Sequence, residues 1–331
     1  MIKTAVIGLG WWGRTIVQSL ADSPSIRPVL GVDPDATNRQ ALAASGFATS
    51  AHIEVALSDP SIDAVVLCTP HRLHARQVIR SARAGKHVFC EKPFSMNADA
   101  AAEALEAVTT AGVRLGIGHE RRFEPAIQEL QQRCHDGELG VPLVLEGNFS
   151  QDKFLALPAD SWRLSASEAP AGPLSATGIH LVDIAISLFG WPAQVYARLS
   201  TLATQFANGD TMTITLGFRN GQTACITAVL TTPFLGRLCL LGSQGWMEIR
   251  DRSHPEDPQG WDVTTVRRGA DPQVSFFPPH ASVRANLERF AAAITDGADY
   301  PITLTEIRAN VACIEAIMRS IGSGRVEDVG S

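Results

Sequence analysis

Three glycines near the start of the chain limit its fold more than any other feature. Gly8, Gly10 and Gly13 form a Gly-x-Gly-x-x-Gly pattern that follows the apolar run 4–8 and precedes the helix-period stretch 14–21. In a strand–turn–helix unit, the first glycine permits a tight turn, the second lets backbone approach a pyrophosphate, and the third lets helix pack on strand. The helix N-terminus then offers N–H groups to phosphates. The pattern predicts a dinucleotide-binding unit.

Asp33 stands at the end of the next apolar run, twenty residues after Gly13. A carboxylate at this place can accept hydrogen bonds from both ribose hydroxyls and repels a 2′-phosphate, which favours NAD over NADP. A solvated strand-end residue is the alternative, and the spacing favours the ribose role. Arg39 could soften the preference, although its place in the following helix predicts a solvent-facing side chain. Trp11 and Trp12 are unusual in this turn; we expect one to pack under the cofactor and the other to cap the sheet.

Short apolar runs alternate with amphipathic stretches through residue 118, which is typical of a doubly wound parallel sheet. After residue 123 the pattern changes to long strands at hairpin spacing, with Asn-Gly at 220–221, and to helices at 179–189, 283–295 and 305–320. The prediction is an α/β fold, with an N-terminal Rossmann doubly wound parallel sheet over 1–122. A C-terminal α+β domain over 123–331 is predicted to carry an open-faced, mainly antiparallel sheet.

Charge and cysteine usage exclude several function classes. The 331 residues carry a formal net charge of -6, which provides no basic field for nucleic acid or an anionic membrane. The six cysteines are scattered without a paired spacing, and no apolar run reaches the roughly 18 residues of a membrane span. We therefore expect a reduced, cytoplasmic protein without a metal site, a nucleic-acid partner or a membrane anchor.

Further stretches carry a resemblance to a known family. They are CTPHRLH at 68–74, GKHVFCEKP at 85–93, GHERRF at 118–123, WR at 162–163 and GIHLVD at 178–183. Together with GLGWWG at 8–13, they resemble the glucose–fructose oxidoreductase / inositol dehydrogenase / MocA (Gfo/Idh/MocA) family of NAD(P)-dependent oxidoreductases. The resemblance covers nearly the whole chain. It implies a Rossmann domain followed by an open-faced sheet domain.

The resemblance also assigns roles around the cofactor. Lys92, the EKP lysine, is implied to lie beside the nicotinamide and to hydrogen-bond the reacting hydroxyl; from the residues alone, the end of a parallel strand is where such sheets bind ligands. Pro93 resembles a family proline often preceded by a cis peptide. Helix capping is the alternative for the two histidines of the TPxxxH turn. The remaining cofactor-side candidates are Thr69, Pro70, His71, His74 and Glu91.

His180 matches the family's catalytic histidine, which takes the hydroxyl proton as hydride leaves carbon. A neutral imidazole suits that task near neutral pH. Asp183 follows three residues later on the same helix face and could orient His180 or bind a substrate hydroxyl. Many family members carry an aspartate four residues before the histidine, but this chain has Ala176. The predicted catalytic set is therefore Lys92, His180 and Asp183.

Substrate contacts are expected from the segments that flank the family's active-site cleft. Arg163 is the leading candidate because its planar fork can hold a carboxylate or a vicinal diol. Interdomain salt bridging is an equal alternative for Arg121 and Arg122, and anchoring of the loop is the alternative for Trp162. The other candidates are His119, Asp152 and Lys153.

These features predict an NAD-dependent dehydrogenase, with NADP less favoured, that acts on a sugar, a cyclitol or a sugar-derived acid. One alternative is a non-catalytic nucleotide-sensing regulator on the same scaffold, which Ala176 motivates. Another is a dehydrogenase of a non-sugar cyclic diol or hemiacetal. We expect a homodimer or homotetramer through the open face of the C-terminal sheet.

Overall fold

A computed structural model describes residues 1–330, which form two compact units. The first unit contains Met1–Glu120 and Ala281–Arg308, and the second contains Arg121–His280 and the residues from Ala309 onward. The sequence prediction gave the first domain residues 1–122 alone, so the stretch from Ala281 to Arg308 is a difference between prediction and structure.

The first unit is built on a six-stranded parallel sheet. Its strands are β1 (Ile2–Ile7), β2 (Ile26–Val32), β3 (Thr49–Ser50), β4 (Ala64–Leu67), β5 (His87–Cys90) and β6 (Leu115–Ile117). Its crossover helices are α1 (Trp11–Ser19), α2 (Ala36–Ala43), α3 (Ile53–Ser58), α4 (His74–Arg83) and α5 (Ala98–Ala111). The order β3-β2-β1-β4-β5-β6 is that of a dinucleotide-binding sheet, which confirms the predicted fold class.

Local signals set the helix ends in this unit. Asp35 caps α2 by accepting a hydrogen bond from the Thr37 N–H at 2.7 Å, and Asn97 caps α5 through the Ala100 N–H at 2.9 Å. Gly112 ends α5 with φ +65°, a left-handed conformation that favours glycine. The strand-to-helix alternation predicted from the sequence follows from these ends.

One helix returns to the first unit from the far end of the chain. It is α8 (Ser282–Thr295), whose buried Leu287, Phe290 and Ala291 belong to the core around β1, β4 and β5. The Phe290 ring meets Phe89 edge-on, with 5.7 Å between centroids. The side chain of Asn286 donates to the Ile117 carbonyl at 2.9 Å. The core of the parallel sheet is therefore completed by residues that follow the stretch 121–280 in sequence.

The second unit contains a nine-stranded, mainly antiparallel sheet in the order β14-β13-β12-β11-β7-β10-β9-β8-β15. The strands are β7 (Pro142–Ser150), β8 (Pro192–Ser200), β9 (Thr211–Phe218), β10 (Thr223–Val229), β11 (Leu235–Gly242), β12 (Gly245–Asp251), β13 (Trp261–Arg267), β14 (Gln273–Phe277) and β15 (Glu327–Asp328). The helices α6 (Pro125–His135) and α7 (Ile179–Phe189) belong to this unit, and α9 (Leu304–Ser323) runs from the first unit into the second. Strands β7 and β10 are parallel, and the other neighbours are antiparallel.

The hairpin at Asn220 and Gly221 is confirmed. β9 and β10 pair antiparallel around it, and Gly221 has φ +90°. Strands β13 and β14 were not predicted, although residues 261–267 alternate between buried and partly exposed positions as a half-covered strand does. The open face of β9 presents exposed threonines such as Thr213 and Thr215. Oligomerisation through this face stays a prediction.

Helix α7 lies close to β7 because Gly147 has no side chain. A Cβ at Gly147 would come within 3.1 Å of the Leu181 side chain. A π-helical turn, Leu174–Gly178, leads directly into α7 and contains Ala176. Such turns often occur at functional sites. Leu181 therefore fixes α7 on the sheet one residue after His180.

None of the helices within residues 1–330 is long and apolar enough to cross a membrane. All six cysteines are free thiols, and the described residues include no group of His, Cys, Asp and Glu suited to a metal ion.

Candidate active site

The glycine turn has the geometry that its sequence pattern requires. Gly8 has φ +92°, and a Cβ there would lie 2.7 Å from the Cys68 carbonyl oxygen. A Cβ at Gly13 would lie 1.8 Å from the Gly8 carbonyl oxygen, whereas a Cβ at Gly10 would meet no atom within 4 Å. Gly10 is also the N-cap of α1, and no side chain caps that helix end. The turn thus leaves open space and helix N–H groups at Gly10, which fits a dinucleotide pyrophosphate.

Asp33 is buried at the end of β2 and braces the glycine turn. Its Oδ2 accepts from the Leu9 N–H at 2.7 Å, and its Oδ1 accepts from the Asp35 N–H at 2.8 Å. Arg39 differs from the prediction of a solvent-facing side chain, because its Nη1 donates to the carbonyls of Asp33 and Pro34 at 2.7 and 2.8 Å. Each oxygen of the Asp33 carboxylate can accept a further hydrogen bond besides those from Leu9 and Asp35. The two backbone hydrogen bonds are therefore compatible with a ribose hydroxyl binding to the same carboxylate.

The two tryptophans of the turn differ in burial. Trp11 is 49% exposed, whereas Trp12 packs against the core of the first unit. Their ring centroids are 5.3 Å apart. Trp12 therefore covers the sheet, and Trp11 is the one whose surface is accessible beside Gly10.

His74 ties two strand ends together at the carboxyl edge of the first sheet. Its Nδ1 lies 2.7 Å from the Pro93 carbonyl oxygen, and its Nε2 lies 2.8 Å from the Thr69 carbonyl oxygen. Burial lowers the pKa of His74, although both carbonyl contacts oppose that shift. His74 therefore holds the segment after β4 against the segment after β5, and its predicted place beside the cofactor stays a prediction.

Lys92 stands in the segment that His74 fixes, directly after β5. The Lys92–Pro93 peptide is cis, as the resemblance implies. Next to it, burial and the neighbouring Glu120 carboxylate together raise the pKa of Glu91 to about 8, against opposing effects of Trp12 and Lys92. The Glu91 carboxyl is therefore largely protonated at neutral pH.

The other cofactor-side candidates lie close to these residues. Thr69 Oγ1 donates to the side-chain oxygen of Gln77 at 2.5 Å, and the His71 and His74 rings are 6.0 Å apart. Pro70 precedes the 3-10 turn His71–Leu73.

In the second unit, His180 is the second residue of α7 and is 3% exposed. Its ring lies 6.0 Å from the Phe149 ring, at the end of β7. Asp183, one turn later, forms an ion pair with Arg122, with 3.5 Å between Oδ1 and Nη1. Both side chains of this pair are buried, so Asp183 has a charged partner within its own unit.

Arg121 is held by two buried carboxylates. Its Nε and Nη2 donate to Glu124, and its Nη2 also donates to Asp251 at 2.8 and 2.9 Å. Burial raises the pKa of Asp251, and Arg121 opposes that rise. The guanidinium also lies 5.1 Å from the Phe149 ring centroid. These contacts show a structural use for Arg121; its predicted substrate contact stays a prediction.

Three substrate-side candidates have definite positions. Trp162 and Arg163 lie in the 3-10 turn Trp162–Leu164, with the guanidinium 4.5 Å from the Trp162 ring centroid. Lys153 contacts Glu256 and lies 3.1 Å from His254 Nδ1. In the same unit, Asp152 is exposed; in the first unit, His119 is buried directly after β6.

Sequence reasoning missed His254 and Glu256. They lie in the nine-residue connection between β12 and β13, outside any motif, and the His254 ring lies 5.7 Å from the Phe149 ring. Phe149 thus contacts both His180 and His254. No local pattern announces such a contact, because the three residues come from segments far apart in sequence.

Comparison with known proteins supports this description. Residues 2–119 match the family model "Oxidoreductase family, NAD-binding Rossmann fold", and residues 127–248 match the "GFO/IDH/MocA C-terminal domain". An uncharacterized oxidoreductase, YrbE, of Bacillus subtilis is 30% identical over 313 residues, 91% of this chain and 89% of its own length. The scyllo-inositol 2-dehydrogenase (NAD(+)) of the same organism is 27% identical, over 98% of this chain and 95% of its own length.

A solved structure agrees with the fold throughout. The aldose-aldose oxidoreductase from Caulobacter crescentus, complexed with glycerol, has a TM-score of 0.87 and 26% identity, and the match covers 99% of both chains. The glycine turn, the strand-end lysine and the matched models in both halves lead to one conclusion: this chain belongs to the Gfo/Idh/MocA family of oxidoreductases with an NAD-binding Rossmann fold.

Proposed function

We propose that this protein is an NAD-dependent dehydrogenase that oxidises a secondary alcohol of a sugar, a cyclitol or a sugar-derived acid. The observation that carries the proposal is the position of Lys92 directly after β5. That strand shares its carboxyl edge with β1, where the glycine turn follows, and His74 joins the Lys92 segment to the one after β4. The reactive lysine and the dinucleotide turn thus belong to one sheet edge.

The chemistry needs a proton acceptor, a stabilised alkoxide and a hydride acceptor. The nicotinamide of NAD, when bound, accepts the hydride. His180 takes the proton of the substrate hydroxyl at a ring nitrogen, and the Lys92 ammonium stabilises the negative charge that develops on the oxygen. Ala176 supplies no carboxylate, so proton acceptance rests on His180 in this proposal.

Selectivity for NAD over NADP rests on Asp33. Its carboxylate lies at the end of β2 and remains close to the glycine turn through Leu9. A 2′-phosphate placed near this carboxylate meets like charge, whereas two ribose hydroxyls can donate to it. Arg39 donates to backbone carbonyls, so its guanidinium is engaged at this strand end.

The test is NADH formation by purified protein with a panel of polyols, aldoses, cyclitols and sugar acids, each with NAD and with NADP. We expect turnover with NAD, and a Lys92→Ala variant that still binds NAD but loses turnover by at least about a hundredfold. Lys3→Ala is the matched control, because Lys3 is an exposed lysine of the same unit. Full activity of Lys92→Ala would contradict the assignment.

A nucleotide-sensing regulator is the second candidate, favoured by the alanine at position 176 in the turn before α7. It predicts tight NAD binding without turnover of any panel member. That outcome would reject the dehydrogenase, whereas turnover of any member would reject the sensor.

A further inference from the structure

The connection between β12 and β13 holds a defined shape through its own bonds. Ser253 Oγ donates to the Asp257 carbonyl at 2.6 Å and accepts from the Gln259 N–H at 2.8 Å. The Arg252 N–H donates to the Gly260 carbonyl at 3.0 Å and closes the base. This segment, which we call the 252–260 hairpin, therefore presents His254 and Glu256 from an ordered backbone.

His254 lies against both members of an ion pair. Its Nδ1 accepts from the Glu256 N–H at 3.2 Å, faces the Lys153 ammonium at 3.1 Å and lies 3.7 Å from the Glu256 carboxylate. Lys153 also forms an ion pair with the Glu256 carboxylate. His254, Lys153 and Glu256 thus form one polar cluster.

The cluster adjoins the candidate proton acceptor through aromatic rings. Phe149 lies 5.7 Å from the His254 ring and 6.0 Å from the His180 ring, and Phe234 contacts both Phe149 and His254. Phe149 thus contacts both histidine rings, so a single aromatic side chain separates the cluster from His180. The cluster is therefore placed to contact the end of a substrate that is remote from the reacting carbon.

The Arg163 guanidinium is held in place without a close ion pair among the described residues. It is half-buried and stacks on Trp162, and the Asn208 side chain fixes the backbone by donating to the Arg163 carbonyl at 2.7 Å. Within residues 1–330, no carboxylate lies within ion-pair distance of this guanidinium. Burial lowers the pKa of Arg163, and the opposing effect comes from Glu256. A held guanidinium with free donors calls for an anion or several hydroxyls.

The ion pairs around the cluster favour a monoanion. Lys153 is paired with Glu256, and Arg121 is paired with Glu124 and Asp251. Arg163 is the cation of this set that has no ion pair among the described residues. A single guanidinium suits a monoanion such as a carboxylate and would leave a phosphate dianion only half compensated.

We propose that Arg163, Lys153 and the 252–260 hairpin form a recognition site for a substrate carboxylate, so that the favoured substrates are sugar acids. In the protein without substrate, Lys153 is ion-paired with Glu256. When a substrate carboxylate binds, it takes donors from Arg163 and competes with Glu256 for Lys153. This inference rests on the proposed dehydrogenase function and narrows its substrate class.

The first experiment measures binding without turnover. Lys92→Ala protein with NADH is titrated with D-glucuronate, D-galacturonate and D-gluconate, and with the neutral D-glucose and D-galactose, while tryptophan fluorescence is followed. We expect the dissociation constants obtained from the fluorescence change to be at least tenfold lower for the carboxylated ligands than for their neutral counterparts. Trp162→Phe in the same background identifies the signal as that of Trp162. Equal binding of both sets, or no response to any carboxylated ligand, would overturn the proposal.

The second experiment uses substitutions of opposite expected sign. Arg163→Gln weakens binding of the carboxylated ligands by about 10- to 100-fold, since a charge-assisted hydrogen bond is lost, and leaves the neutral ligands within about twofold. Glu256→Gln should increase the affinity for the carboxylated ligands, because it removes the carboxylate that competes with them for Lys153. Arg219→Gln is the control, since Arg219 is an exposed arginine of the same unit that lies outside the proposed site. An unchanged preference in both Arg163→Gln and Glu256→Gln would contradict the site.

These results separate the inference from the function on which it rests. If the protein oxidises neutral sugars and Arg163→Gln does not change that rate, the proposed dehydrogenase activity is supported and the carboxylate site is rejected. Selective carboxylate binding with no turnover in the wild-type protein keeps the site and rejects the dehydrogenase.

Discussion

The two units carry their functional groups in different ways. In the first unit, the functional positions are mainly backbone positions: Gly8, Gly10 and Gly13 shape a turn, and His74 acts on two carbonyls. In the second unit, they are side chains that meet from distant segments, such as Phe149, which contacts both His180 and His254. Backbone recognition needs particular residues at fixed spacings, whereas a side-chain cluster needs only a common place in the fold. We therefore expect the first unit to be most sensitive to substitutions that add a side chain at a glycine. We expect the second unit to be most sensitive to substitutions that remove a side chain from an ion pair or a hydrogen bond.

The largest expected loss of stability comes from a lost partner in the second unit. Arg121→Gln leaves the buried carboxylates of Glu124 and Asp251 without their cation, which lowers the free energy of unfolding by about 3–5 kcal/mol. Urea denaturation checks this value. Arg252→Gln is the matched control, because the Arg252–Asp262 pair is exposed and its loss changes little. If Arg121→Gln raised KM while leaving stability intact, its main role would be substrate contact.

In the first unit, adding one methyl group at two different glycines should distinguish an effect on folding from an effect on cofactor binding. Gly13→Ala places a Cβ 1.8 Å from the Gly8 carbonyl oxygen, so the turn must move; we expect a loss of about 1–3 kcal/mol in stability together with NAD binding. Gly10→Ala meets no atom within 4 Å, so it keeps the thermal midpoint but weakens NAD binding. Thermal unfolding and calorimetric titration with NAD measure the two effects. Equal loss of stability in both variants would show that the open space at Gly10 is not a cofactor cradle.

The smallest expected loss of stability comes from Asp210, a residue of the second unit that lies outside the candidate active site. Burial alone would raise the pKa of Asp210, but N–H donors from Leu202 and Ala203 and hydroxyls of Thr211 and Thr204 outweigh it and lower the pKa to about 2. We expect Asp210→Asn to lower the free energy of unfolding by about 1–2 kcal/mol at neutral pH.

The pH dependence of this difference has a definite sign. A depressed pKa stabilises the folded state above the unfolded value of about 4, and this stabilisation is lost as pH falls toward 2. The gap between wild type and Asp210→Asn should therefore narrow between about pH 4 and pH 2 in urea denaturation. A constant gap over that range would contradict the charged role of Asp210.

The contrast between the units also explains what the sequence could reveal. The doubly wound sheet, the glycine turn and the hairpin at Gly221 follow from local patterns, and the family motifs point to Lys92 and His180. The engagement of Arg39 by carbonyls, the bridge made by His74 and the pairing of Asp183 with Arg122 depend on tertiary contacts that no spacing encodes. His254 was missed for the same reason. Strands β13 and β14 were missed, although the alternation of β13 was readable.

The return of α8 to the first sheet has a consequence for synthesis on the ribosome. Phe290, whose ring packs on Phe89, emerges only after the whole stretch 121–280 has been translated, a delay on the order of 10 s at typical elongation rates. During that interval the nascent parallel sheet lacks the helix that covers part of its core. Most of the second unit can thus fold while the first is still unfinished, and the first unit is completed only when a late helix docks onto its earliest strands.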